Sequence, residues 1–183
     1  MLAVILKYMI ESKFIEISKK YGGQYDLSNF KVNETLSSKL PISIHNLKLS
    51  HKEVSINVCY EFGNSNVAEI KFEIDVQIEV PYFELETRDH FSRLFSLKKN
   101  PWKIKSSNNQ LSSNIIRYLN TVSLTKMANE ESFEPLMKGI YKNGKYNFNT
   151  KFYLGFNNKE NSISPIIEFH KTLIDHIKEK YCS

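Results

Sequence analysis

Val54-Ser-Ile-Asn-Val-Cys-Tyr-Glu-Phe62, Gly63-Asn-Ser-Asn66 and Val67-Ala-Glu-Ile-Lys-Phe-Glu-Ile-Asp-Val-Gln-Ile-Glu-Val80 together decide the fold. Even-numbered side chains from Val54 to Phe62 are apolar and the odd-numbered ones between them are polar, apart from Cys59. The alternation resumes through Ala68, Ile70, Phe72, Ile74, Val76, Ile78 and Val80. A period of two is that of a strand with one covered face, so the stretch predicts a long antiparallel hairpin. Opposed residues share a face, and pairing Phe62 with Val67 would set Tyr60 against Glu69. A loop of three or five residues is therefore expected rather than four.

Downstream, Asn143-Gly144 is a two-residue turn signal that sets Tyr141 opposite Tyr146, Met137 opposite Thr150 and Phe133 opposite Leu154. Upstream, Ile42, Ile44, Leu47 and Leu49 predict one strand or two short ones, and 24–41 reads as an irregular connection or a short edge strand. Tyr82 to Glu86 and Pro101 to Lys105 predict further strands, with a helical turn over 88–97.

Leu6, Ile10, Phe14, Ile17 and Tyr21 recur at helical spacing before Gly22-Gly23, and predict an amphipathic first helix. Leu111, Ile115, Ile116 and Leu119 predict a helix running into Leu124 and Met127. Ser164-Pro165 suits a cap and first turn, followed by the stripe Ile166, Phe169, His170, Leu173, Ile177 and Tyr181. The expected fold is thus α+β, an antiparallel sheet of long hairpins with N- and C-terminal amphipathic helices on one face, forming a single domain over 1–183.

Composition narrows function mostly by exclusion. An apolar fraction of 41% and a charged fraction of 25% are globular values. Two cysteines are too few for a disulfide framework, and Lys7 interrupts the apolar start after five residues, so a cytoplasmic protein is expected. Frequent Asn, Lys and Ile beside three alanines point to AT-rich coding DNA, as in a low-GC bacterium or its phage. The six glycines form neither a phosphate-binding loop nor a nucleophile elbow, and the five histidines lack metal-ligand spacing, so no cofactor or metal is expected.

Two clusters remain as candidate sites. Glu84, Glu86, Asp89 and His90 could perform general acid/base work, although acidic residues behind a capping Thr87 also suit an ordinary helix start. Arg93, Lys98, Lys99, Trp102, Lys103 and Lys105 could clamp phosphates and stack a base, or could simply be solvated. Residues 67–87 carry six carboxylates against Lys71, whereas 88–105 carry six cationic side chains against Asp89. The net charge of +5 is too diffuse to demand a nucleic acid.

The expectation is a non-enzymatic binding domain that meets another macromolecule through its polarised sheet face or the basic segment 91–105. Protein is the first partner considered, an anionic surface such as nucleic acid or lipid headgroups the second, and self-association is compatible with both. Two alternatives stand beside it. One is an apolar-ligand carrier with a pocket between the sheet and the last helix, suggested by Tyr146, Phe148, Phe152 and Phe156; the other is an enzyme built on Glu84, Glu86 and His90.

Overall fold

Alternation from Val54 produces strands β3 (Val54–Phe62) and β4 (Val67–Asp75). Glu61 pairs with Val67, leaving residues 62–66, five in all, as the loop, one of the two lengths that parity allows. Gly63 is required there. Its φ is +115°, and a Cβ would stand 2.2 Å from the Pro41 carbonyl oxygen. Ile56, Val58, Tyr60, Ile70, Phe72 and Ile74 are all buried.

The computed structural model describes residues 2–33, 39–88 and 100–182, with side chains from Tyr8 onward. Helix α1 (Leu2–Tyr21) leads into β1 (Gln24–Asn33) and β2 (Lys39–His51), which precede the β3–β4 hairpin. Strands β5 (Phe83–Thr87) and β6 (Trp102–Ser106) follow, then α2 (Asn109–Thr121) and α3 (Leu124–Glu130). The chain continues through β7 (Leu136–Lys142), β8 (Lys145–Tyr153), a 3-10 turn (Lys159–Ser162) and α4 (Ile163–Tyr181). The eight strands among the described residues form one antiparallel sheet in the order β1-β2-β3-β4-β8-β7-β5-β6. The fold is α+β, with the terminal helices on the sheet's apolar face.

Three bodies of helix lie along that face. Phe14 of α1 packs against Tyr25, His45 and Tyr60, and so covers β1 to β3. His170 of α4 meets Phe72 and Phe148 over β4 and β8. At the far end the Trp102 indole N–H donates to Thr125 Oγ1 at 3.0 Å, tying β6 to α3. No helix among the described residues is long and apolar enough to cross a membrane.

Several expectations need correction. The long strand stops at Asp75 rather than Val80, because β8 ends opposite it at Lys145; the Val76 N–H then turns to the Gly144 carbonyl. The chain next passes beneath the end of α4, where the Gln77 N–H donates to the Tyr181 carbonyl at 2.8 Å, and Ile78 is exposed. Of the two readings of 24–41, the edge strand forms and is ten residues long over 24–33 rather than short, while 39–41 belong to β2. Strand β2 is continuous, but its apolar face changes sides. Leu47 and Leu49 point toward the helices together with His45, whereas Ile42 and Ile44 have the opposite parity, shared with Phe30 and Val32 of β1.

The Asn143-Gly144 turn forms with φ of 52° and 76°, and pairs Tyr141 with Tyr146 and Met137 with Thr150 as expected. Phe133 lies before β7 begins, so the predicted Phe133–Leu154 pair is absent from the ladder. Helices α2 and α3 are separated at Ser123, whose φ is 66°. Helix α4 begins at Ile163, one residue before the predicted cap Ser164, and continues the preceding 3-10 turn. Its predicted stripe is buried throughout. The helical turn expected over 88–97 falls almost wholly outside the described residues.

Candidate functional site

Helices cover one face of the sheet and leave the polar half of each strand's alternation facing outward. Cross-strand pairing builds continuous rows on that outer face. One runs from edge to edge through Gln24, Lys48, Asn57, Lys71, Asn149, Lys138, Glu84 and Lys105, one residue from each strand. Four lysines therefore recur at every second strand, roughly 10 Å apart. Shallow grooves of about 660 Å³ and 370 Å³ lie along this row and share Asn57 and Lys71. A neighbouring row joins Ser28, Ile44, Glu61, Val67 and the largely exposed Tyr153.

Charge on this face divides at the middle of the sheet. On one side β1 to β4 carry Asp26, Glu61, Glu69, Glu73 and Asp75 against Lys48 and Lys71, an excess of three negative charges. Beyond the β4–β8 seam, Lys138, Lys142, Lys145 and Lys151 of β7 and β8 join Lys103 and Lys105 of β6. Among the described strand residues of this half only Glu84 and Glu86 oppose them, which leaves an excess of four positive charges. Together the described strand residues of the face come within one charge of neutral.

The two predicted clusters meet each other here. Glu84 accepts from Lys105 Nζ at 2.7 Å and from the Tyr82 hydroxyl at 2.6 Å, with Lys138 Nζ at 3.8 Å. Glu86 accepts from Lys103 at 2.6 Å. The hydrogen bond from Lys105, then that from Tyr82, pulls the Glu84 carboxyl down to about 2. That direction is opposite to the one a general acid near neutral pH requires. Trp102, expected beside the lysines, lies on the helix-covered face and is 1% exposed, because residues 102 and 103 point to opposite sides of β6. Asp89, His90, Arg93, Lys98 and Lys99 lie outside the described residues, as do Phe91 and Phe95.

Lys138, Asn149 and Lys151 were not singled out from the sequence, Asn57 entered only as part of the alternation, and Lys71 only as the countercharge to six carboxylates. Each occupies an outward parity position that alternation does reveal, but their assembly into one row depends on strand order. His45 was also missed. It is fully buried, with Nδ1 2.8 Å from the Tyr25 hydroxyl, and the odd parity of Leu47 and Leu49 would have pointed to it.

Among the described residues no group of three or more His, Cys, Asp or Glu side chains is placed to hold a metal ion. The aromatic row Tyr146, Phe148, Phe152 and Phe156 is buried, its rings in contact with Phe133 and Phe169. No protein-family model matches the chain, and neither the curated proteins nor the solved structures contain a match to it.

Proposed function

We propose that this chain is a non-enzymatic interaction domain that engages another macromolecule across the uncovered face of its sheet. One observation carries the reading. Eight strands present a broad polar face with exposed apolar side chains set in it (Phe30, Val32, Leu136, Ile140 and Tyr153), while the described helices pack on the other side. Scattered exposed apolar residues are ordinary, but their concentration on one sheet face is what an interaction surface offers. Glu73, Glu84 and Glu86 there are held by lysines, which favours recognition over proton transfer.

Hydroxyl-radical footprinting of the labelled chain in cell extract and at high concentration, each compared with the dilute purified chain, tests this. Protection of Leu136, Ile140 and Tyr153, with Tyr8 and Met9 on α1 unchanged, is expected. Equal reactivity of the sheet face in all three samples would remove the proposal.

A further inference from the structure

We infer that the macromolecule met by the uncovered face is a second copy of the same chain, in a face-to-face dimer whose twofold axis runs parallel to the strands along the β4–β8 seam. The inference rests on the reading of this face as an interaction surface and names its occupant.

Symmetry and charge carry it together. A twofold axis in the interface plane and along the strands keeps each row at its own height but reverses the order of the strands. The acidic β1–β4 half of one protomer then lies over the basic β8–β6 half of its partner, twice. Three surplus negative charges meet four surplus positive ones in each half of the interface. The seam is also the centre of the strand order, with four strands on either side, so each strand of one protomer lies over a strand of its partner, β4 over β8 and β1 over β6. Apolar residues follow the same reversal: Ile44 and Val67 lie on one side of the seam and Tyr153 on the other, all in one row.

Area agrees. Seven interstrand spacings of about 4.8 Å and strands of about 24 Å give each face roughly 800 Å². That is the share each partner contributes to a standard-size interface of about 1,600 Å² in total. Other occupants fit less well. A polyanion would be attracted by one half and repelled by the other, and a polycation likewise, whereas a second copy satisfies both halves at once. Stacked sheets also tolerate a small angle between their strands, which the ordinary twist of each sheet supplies.

Sedimentation velocity on the purified chain, from about 1 to about 200 µM and at low and high salt, reads the association. A concentration-dependent dimer that weakens at least several-fold at high salt is expected. Glu69→Lys with Glu73→Lys makes both halves basic, and Lys138→Glu with Lys151→Glu strips the basic half; each double variant is expected to remain monomeric with its circular dichroism unchanged. Mixing the two variants is expected to restore a dimer, because the basic half of the first then faces the acidic half of the second. Loss of folding would not be rescued by mixing.

A chain that stays monomeric over the whole range, a dimer that ignores both reversals, or variants that fail to complement would each overturn the second copy as occupant. If the monomeric chain instead binds heparin and loses it on Lys138→Glu with Lys151→Glu, the occupant is a polyanion and the dimer is excluded. Footprinting protection in extract would still support the broader reading in any of those cases, and its absence both there and at high concentration would remove both.

Discussion

His170 Nε2 lies 3.2 Å from Thr150 Oγ1, joining the middle of α4 to β8 in the centre of the sheet. Its Nδ1 is 2.8 Å from the Ile166 carbonyl oxygen, which can only accept, so Nδ1 donates there, and the Ile70 carbonyl is a further backbone partner of the ring. Phe72, Phe148 and Phe169 surround this neutral ring. Burial among them holds the imidazole down to about 4, against 6.5 for the ordinary group.

The sign of the resulting pH dependence follows from which state binds the proton. Between pH 6.5 and 4 the unfolded chain takes it up and the folded chain does not, so stability falls as the pH drops through that window. The loss expected from this residue is on the order of 3 kcal/mol. Denaturant titrations from pH 7 to pH 4 measure it, and His170→Leu is expected to flatten that part of the profile. The same slope in the variant would place the proton uptake elsewhere.

Gly139 and Tyr146 give a packing test. A Cβ at position 139 would stand 1.8 Å from the Tyr146 hydroxyl and 2.5 Å from its ring carbon Cζ. Both residues are buried, so there is little room for either to move. Gly139→Ala is expected to cost about 3 kcal/mol through overpacking. The Tyr146 hydroxyl has no hydrogen-bond partner among the described residues, and a buried hydroxyl without one is costly. Tyr146→Phe is therefore expected to stabilise by about 1 kcal/mol, and to recover part of the Gly139→Ala loss in the double variant. Purely additive effects would show that the two sites do not share this space.

Glu53 offers a stabilising change. The β2–β3 turn holds Lys52 and Glu53 at φ of 47° and 67°, a conformation that costs non-glycine residues about 1 kcal/mol each. Lys52 is retained by its Nζ, 2.8 Å from Asp175 Oδ1. Glu53 is almost fully exposed, and its 3.8 Å ion pair with Lys178 is worth only a few tenths of a kcal/mol. Glu53→Gly is accordingly expected to raise stability by about 0.5 kcal/mol, after the extra freedom of glycine in the unfolded chain is subtracted. A lower denaturation midpoint would mean that the Lys178 pair outweighs the backbone strain.

The fold was legible wherever a local period governs it. From Val54 to Asp75 the alternation states which side chains face the helices, and the stripe from Ile166 to Tyr181 does the same for α4. Legibility failed where a distant partner decides. Val80 continues the alternation of Ile74, yet the strand ends at Asp75 because β8 supplies no partner beyond Lys145. Ile44 and Leu47 look like two short strands because the covered side changes between them, a reversal that local pattern cannot distinguish from a break. Of the acidic and basic stretches read along the chain, Glu69, Glu73 and Asp75 do line the outer face, but the end of the acidic stretch meets the end of the basic one. Glu84 and Glu86 return to the lysines of β6, and the charge division that survives lies at the β4–β8 seam, which only strand order reveals.

Glu84 decides how the outer face is used. The ordinary carboxyl titrates near 4.5, and here the hydrogen bonds from Lys105 and Tyr82 hold it down to about 2. Since the folded value is the lower one, the stabilisation is present above pH 4.5 and is lost as the pH falls toward 2. Carboxyl carbon shifts followed by NMR are expected to show Glu84 still ionised at pH 3, and Lys105→Gln is expected to move its midpoint upward toward 4.5. A midpoint in the unaltered chain at or above 4.5 would break the link between the Lys105 contact and the ionised carboxylate, and would return Glu84 to the acid/base reading that its sequence neighbours suggest. A midpoint near 2 leaves it a fixed charge at neutral pH, suited to matching a lysine and unable to exchange a proton with a substrate.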